Sequence, residues 1–179
     1  MSQLTLYSAQ NATEPQWQSE DPSAIAAKLA DFGLSFRQWP VATLSEQASA
    51  EQILTHYQSE IRQLQAEAGY QTVDVVSLNA DHPDKAALRQ KFLAEHSHAE
   101  DEVRFFVRGR GLFCFHLQNQ VLQLLCTQGD LINVPAGTLH WFDMGSAPAF
   151  TAIRLFTDPS GWVAQFSGSP IAGQFPLLD

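Results

Sequence analysis

Basic residues, cysteines and long apolar runs are all scarce in this 179-residue chain, and each scarcity closes off a class of function. Ten Lys and Arg stand against nineteen Asp and Glu, a formal net charge of −9. Phosphate backbones and anionic lipid surfaces repel a chain of that sign, so neither nucleic acid nor a membrane is expected as a partner. The two cysteines, Cys114 and Cys126, sit in apolar strand-like runs, "LFCFHL" and "LQLLCT". Buried, reduced thiols are expected there, not a disulfide. No apolar stretch reaches the ~18 residues of a membrane span. The opening "MSQLTLYSAQ" has no basic segment followed by an apolar one, so no export signal is read and the expected compartment is the cytoplasm. No glycine-rich phosphate loop appears, and no Ser-His-Asp or Cys-His set stands in a recognisable context.

What is present suits one domain with a sizeable core: 45% hydrophobic residues, with twelve Phe and four Trp. The first half reads as helical. "DPSAIAAKLADFG" offers Asp21 as N-cap, Pro22 at the first helical position and Gly33 as a stop. "SAEQILTHYQSEIRQLQAEAG" opens with a capping box, Ser49 and Gln52, and places Ile53, Tyr57, Ile61 and Leu64 on one stripe of a single helix ending at Gly69. "VDVVSL" at 73–78 is a short strand, and a further helix follows Pro83 and runs through Lys91 to Glu95. From Glu102 onward six short strands alternate with turns: "EVRFFVRG", "GLFCFHL", "QVLQLLCT", "DLINVPA", "HWFDMG" and "FTAIRLFT". Strands so evenly spaced imply a closed antiparallel barrel or jelly roll. The chain is read as one domain over 1–179. A helical region of about 1–95 packs on a barrel of about 70–170, and an irregular tail with aromatic anchors fills 158–179.

Within "EHSHAEDEVRFFVRGRG", His96, His98 and Glu102 share parity, so on an extended strand all three side chains point one way. Two imidazoles and a carboxylate suit a divalent transition metal. Alone, an H-x-H followed by Glu is more often solvated surface than a metal site. Two further features reverse that balance. After Glu102 come six residues and then Gly109, which closes the strand. About thirty residues after Glu102 comes "GDLINVPAGTLHW", with Gly129, Pro135, Gly137 and His140 at fixed intervals.

These blocks resemble the paired signature of the cupin superfamily, G-x5-H-x-H-x3-4-E-x6-G and G-x5-P-x-G-x2-H-x3-N. The opening glycine is missing, and Met144 stands where the pattern has Asn; neither departure touches a ligand position. The flanking stretches "FLAEHSHAEDEVRFFVRGRGLFCFH", "DLINVPAGTLHWFDMG" and "FTAIRLFTDPSGWVAQFSG" are similar to the bacterial acireductone dioxygenases, and so, upstream, is "GYQTVDVVSLNADHPDKAALRQKF". The resemblance implies a mainly β cupin fold, a double-stranded β-helix or jelly-roll barrel, with helices in the N-terminal half. It implies four metal ligands, His96, His98, Glu102 and His140, around one Fe(II) or Ni(II) per chain. Six-coordination would leave two positions open for a bidentate substrate. The implied reaction is cleavage of acireductone, 1,2-dihydroxy-3-keto-5-methylthiopentene, by O2. Fe(II) yields formate and 2-oxo-4-methylthiobutanoate for methionine salvage; Ni(II) yields carbon monoxide, formate and 3-methylthiopropanoate. The resemblance also implies a monomer.

Several residues around the ligands carry two readings. Arg104 shares the parity of Glu102. It either helps form the substrate dianion, as the resemblance implies, or pairs structurally with a carboxylate. Glu95 and Asp101, on the opposite parity, either support the ligands by orienting an imidazole or aiding metal entry, or are solvated. Phe106 and Phe142 either line a pocket for the methylthio tail or belong to the core. Arg154 faces the cavity as a substrate donor or faces solvent, and Trp162 closes the mouth or pins the tail. His116 reads as structural, His56 and His82 as solvent-facing. Another cupin enzyme such as an isomerase, or a non-enzymatic metal-binding cupin, uses the same ligands. The nominated cations, Arg104 and Arg154, are few for a sugar-phosphate isomerase, and the apolar neighbours suit a small thioether better.

Overall fold

The computed structural model describes residues 1–179. The N-terminal part runs β1 (Gln3–Ser8), β2 (Trp17–Ser19), α1 (Pro22–Ala30) and β3 (Ser35–Gln38). Next come α2 (Ala50–His56), α3 (Gln58–Ala68), β4 (Thr72–Leu78) and α4 (Lys85–Leu93). The remaining strands are β5 (His96–Ser97), β6 (Glu102–Leu117), β7 (Gln120–Thr127), β8 (Asp130–Val134), β9 (His140–Asp143), β10 (Phe150–Phe156) and β11 (Gln165–Phe166). Short 3-10 turns lie at Pro159–Trp162 and Ile171–Gln174. No helix is long and apolar enough to cross a membrane.

All strand pairs are antiparallel. One face is ordered β11-β5-β9-β6-β7-β1-β2, the other β3-β8-β6-β10-β4, and β6 belongs to both. The first half of β6 pairs with β8 and β10, the second with β7 and β9. Gly-Arg-Gly at 109–111, expected as a turn between two strands, is therefore a corner inside one 16-residue strand. Gly109 takes φ 75°, and a Cβ there would overlap the Ala149 carbonyl, so only glycine turns this corner. A bulge where β10 meets β6, between Thr151 and Ala152, shifts the alternation. Arg104 and Phe106 share the inner side before it, while Phe113 and Phe115 take that side after it.

Three apolar clusters follow. Between the two sheets, Leu4, Leu6, Phe106, Phe115, Leu122 and Ile132 form the barrel interior. Outside β6, β8 and β10, the stripe Ile53, Tyr57, Ile61 and Leu64 covers Val103, Phe105, Leu131 and Ile153. On the opposite outer face, Ile171, Ala172 and Phe175 of the tail cover Tyr7, Cys114 and Trp141. Both cysteines are buried and free.

The helical reading of the first half is corrected in three places. β1 is a barrel strand, paired with β7 along Gln3–Ser8 and burying Leu4 and Leu6; its alternation is too short to stand out locally. The single helix expected after Ser49 is two. The Ser49–Gln52 capping box forms, but Tyr57 at φ −92°, ψ 18° breaks the helix. That break seats the Tyr57 ring edge-on against Phe105 at 4.9 Å and lets its hydroxyl accept from the Ala42 N–H. The last helix stops at Leu93, because Ala94 is already extended toward β5.

Candidate metal centre

His96 sits on β5 and pairs directly with His140 on β9, whose partner on β6 is Phe115; Glu102 opens β6. The chain between His98 and Glu102 bends instead of running on as a strand, so convergence comes from strand pairing and not from one continuous face. Three ring nitrogens of His96, His98 and His140 lie within 4.8 Å of one another. Each ring is oriented through Nδ1, which donates to a backbone carbonyl: Ala94 at 2.7 Å, Val163 at 3.3 Å and Thr138 at 2.8 Å. Such bonds put the proton on Nδ1 and leave Nε2 with a free lone pair. Nε2 of His98 and His140 approach Glu102 Oε2 at 3.4 and 3.8 Å. That oxygen is buried with no hydrogen-bond partner, an arrangement that costs free energy unless something positive is meant to meet it.

The charge states agree. Burial pushes His140 down to about 3, against the weaker opposing pull of Glu102, and lowers His96 as well. Burial alone would raise the Glu102 carboxyl, but the Arg104 charge, followed by His140 and His98, overrides it and holds the group at about 2. With His96 and His140 held neutral beside an ionised Glu102, and His98 adjoining them, the cluster offers three borderline nitrogens and one hard oxygen. The residues fit a divalent transition cation.

This cluster lies in a cavity of about 450 Å³. Arg104 lines it, donating to Glu102 Oε1 at 2.6 Å while resting against the adjoining rings of Phe113 and Phe142. Arg154 also lines it, but its guanidinium is engaged by Asp74 through bonds of 3.0 and 2.6 Å. Trp162 stands at the mouth, 47% exposed, edge-on to Phe156. Phe142 lines the cavity; Phe106 does not, being fully enclosed in the barrel interior behind Phe113 and Phe142. Glu95 is buried, accepting from Ser167 Oγ at 2.7 Å and bonded to His116 Nδ1 at 2.9 Å, so it anchors the tail and touches no ligand imidazole. Asp101 accepts the Ala136 N–H at 2.8 Å, bracing the loop that leads to His140. Lys91, Phe92, Phe113, Phe156 and Phe166 complete much of the wall and were not singled out from sequence.

The ARD/ARD' family model matches residues 3–164. An acireductone dioxygenase of Synechococcus sp. is 59% identical over 99% of both chains, and that of Citrobacter koseri is 56% identical over the same shares. Among solved structures, an acireductone dioxygenase from Bacillus anthracis with a cadmium ion in its active centre superposes with a TM-score of 0.79 at 28% identity, covering 93% of this chain and 98% of that one. With this fold, this site and these relatives, the chain belongs to the ARD/ARD' family of acireductone dioxygenases.

Proposed function

We propose that the chain cleaves acireductone with O2 at one divalent cation held by His96, His98, Glu102 and His140. The observation that carries this reading is the meeting of three imidazoles, all lining one aromatic-walled cavity, with the partnerless Glu102 oxygen. When bound, the cation would supply Lewis acidity toward an enediolate substrate. The chain's own residues do the rest. Arg104 places a positive charge beside the carboxylate ligand and favours the deprotonated substrate. Phe142, Phe92 and Phe156 offer apolar walls that suit a methylthio tail. Trp162 shields the mouth, held over Phe156 and 5.9 Å from the Arg154 guanidinium. Of the cavity's three cations, Arg104 and Arg154 are already engaged by carboxylates, which disfavours a sugar-phosphate isomerase.

Fe(II) is the cation for which formate and 2-oxo-4-methylthiobutanoate are expected, in methionine salvage; Ni(II) gives carbon monoxide, formate and 3-methylthiopropanoate. The same reading has a monomer of one domain acting in the cytoplasm. The test is anaerobic removal of metal, reconstitution with Fe(II) and product analysis under O2. Formate and the keto acid in equal amounts are expected. Oxygen uptake no faster than acireductone autoxidation sinks the reading.

A further inference from the structure

Arg104 is held in an unusual way for a buried cation. Its Cζ lies 4.9 Å from the centroid of the Phe113 ring and 5.0 Å from that of Phe142. One terminal nitrogen donates to Glu102, whereas Nε is buried with no partner. A single carboxylate bond leaves a guanidinium on a long flexible stem free to pivot. The other arginine of the cavity, Arg154, shows the alternative, a two-bond grip by Asp74. Arg104 has two ring faces in place of that second bond.

We propose that Phe113 is a positioning residue, acting through Arg104: with Phe142 it forms a one-sided cage, two touching rings against which the guanidinium rests and is aimed at the substrate. A desolvated cation over a ring face is attracted by the ring quadrupole, and the attraction strengthens as water is excluded. The fold is built to make this contact. Arg104 and Phe113 belong to the same strand, and the corner at Gly109 and Gly111 turns them toward each other. A Cβ on Gly111 would collide with the edge of Phe142, so glycine there lets that ring take its place beside Phe113. The two rings meet at 4.9 Å with a 49° tilt, and Phe113 is itself stacked on Phe115 at 5.7 Å, almost parallel. Neither cage ring can turn away without disturbing the barrel interior.

The proposal rests on the dioxygenase reading, and the experiment separates the two. Phenylalanines carrying one, two and three ring fluorines are placed at position 113 of the full chain, which is then loaded with Fe(II). Fluorine drains the ring quadrupole while nearly preserving shape. The expected outcome is a stepwise fall in kcat/KM for acireductone to about tenfold at three fluorines, with metal content and Tm unchanged. A substrate whose methylthio tail is shortened to methyl shows the same proportional fall. In an Arg104→Gln background, Phe113→Leu costs nothing further. A flat fluorine series, a fall that vanishes with the short-tailed substrate, or full additivity with Arg104→Gln overturns the cage. A second readout needs no turnover. In zinc-loaded protein labelled with 15N-arginine, the Arg104 Nε–H proton is shifted by the two rings and moves back toward the free-arginine position in Phe113→Leu. No movement overturns the cage. An inactive wild-type protein sinks the dioxygenase reading instead, and the arginine resonance still decides the cage.

Discussion

At the scale of single residues, the centre is defined by which atoms lack partners. Glu102 Oε2 and three imidazole Nε2 lone pairs face one another because every other polar atom of those side chains is already bonded. Removing one donor of the proposed set of four leaves three, a weaker hold on a labile divalent ion. His140→Ala is expected to bring metal content, read by elemental analysis after dialysis, well below one per chain; unchanged content refutes the ligand set. Elsewhere, burial foremost pushes the Cys114 and Cys126 thiols up, so the thiolate is not formed near neutrality. Native protein should leave both unmodified by a disulfide reagent that reacts with two thiols per chain in urea. Rapid native labelling would mean that the barrel opens.

At the scale of elements, β6 and the tail hold the site in place. β6 supplies Glu102 and Arg104 before its corner and Phe113 after it, so the corner sets the distance between cation and cage. Gly109→Ala forces an unfavourable φ and a clash with the Ala149 backbone. About 3 kcal/mol or more of stability should be lost, seen as a lower urea midpoint. The tail is clasped by Asp143, which takes two bonds from Arg89, at 2.8 and 3.0 Å, and one from the Leu178 N–H at 2.9 Å. Asp143 is buried while Arg89 is partly exposed, so solvent screens part of the pair. Asp143→Ala is expected to cost about 2 kcal/mol and to make the C-terminal residues protease-sensitive before global unfolding. Equal protease resistance would remove the clasp from the account.

At the scale of the whole molecule, the site makes stability depend on pH and on metal. In metal-free protein His140 is held near 3 against its ordinary 6.5, so below pH 6.5 the unfolded chain binds protons that the folded one refuses. Glu102, near 2 against 4.5, adds a loss of the same sign from about pH 4.5 downward. The urea midpoint of chelator-treated protein should therefore fall steadily from pH 7 to pH 4. A flat profile would show that these groups titrate normally. Metal at a hundredfold over its Kd should add about 3 kcal/mol and raise Tm by several degrees. Much of the design was legible in the residue order. Capping residues Asp21 and Ser49 act within one helical turn, and strand alternation and ligand spacing are likewise local, so the caps, most strands and the four ligand candidates could be read directly. Other outcomes depend on pairings between distant segments. That β1 joins the barrel is settled by β7, more than a hundred residues away, and that Tyr57 breaks a helix is settled by its fit against Phe105. Phe106 and Phe113 look alike in the chain, yet the bulge and the corner of β6 send one into the core and the other to the cavity wall. The sequence by itself determined the chemistry of the donors, because side-chain type and spacing carry it. Only the tertiary structure decided what surrounds them, because the facing of a side chain beyond a bulge is set by the strands it pairs with.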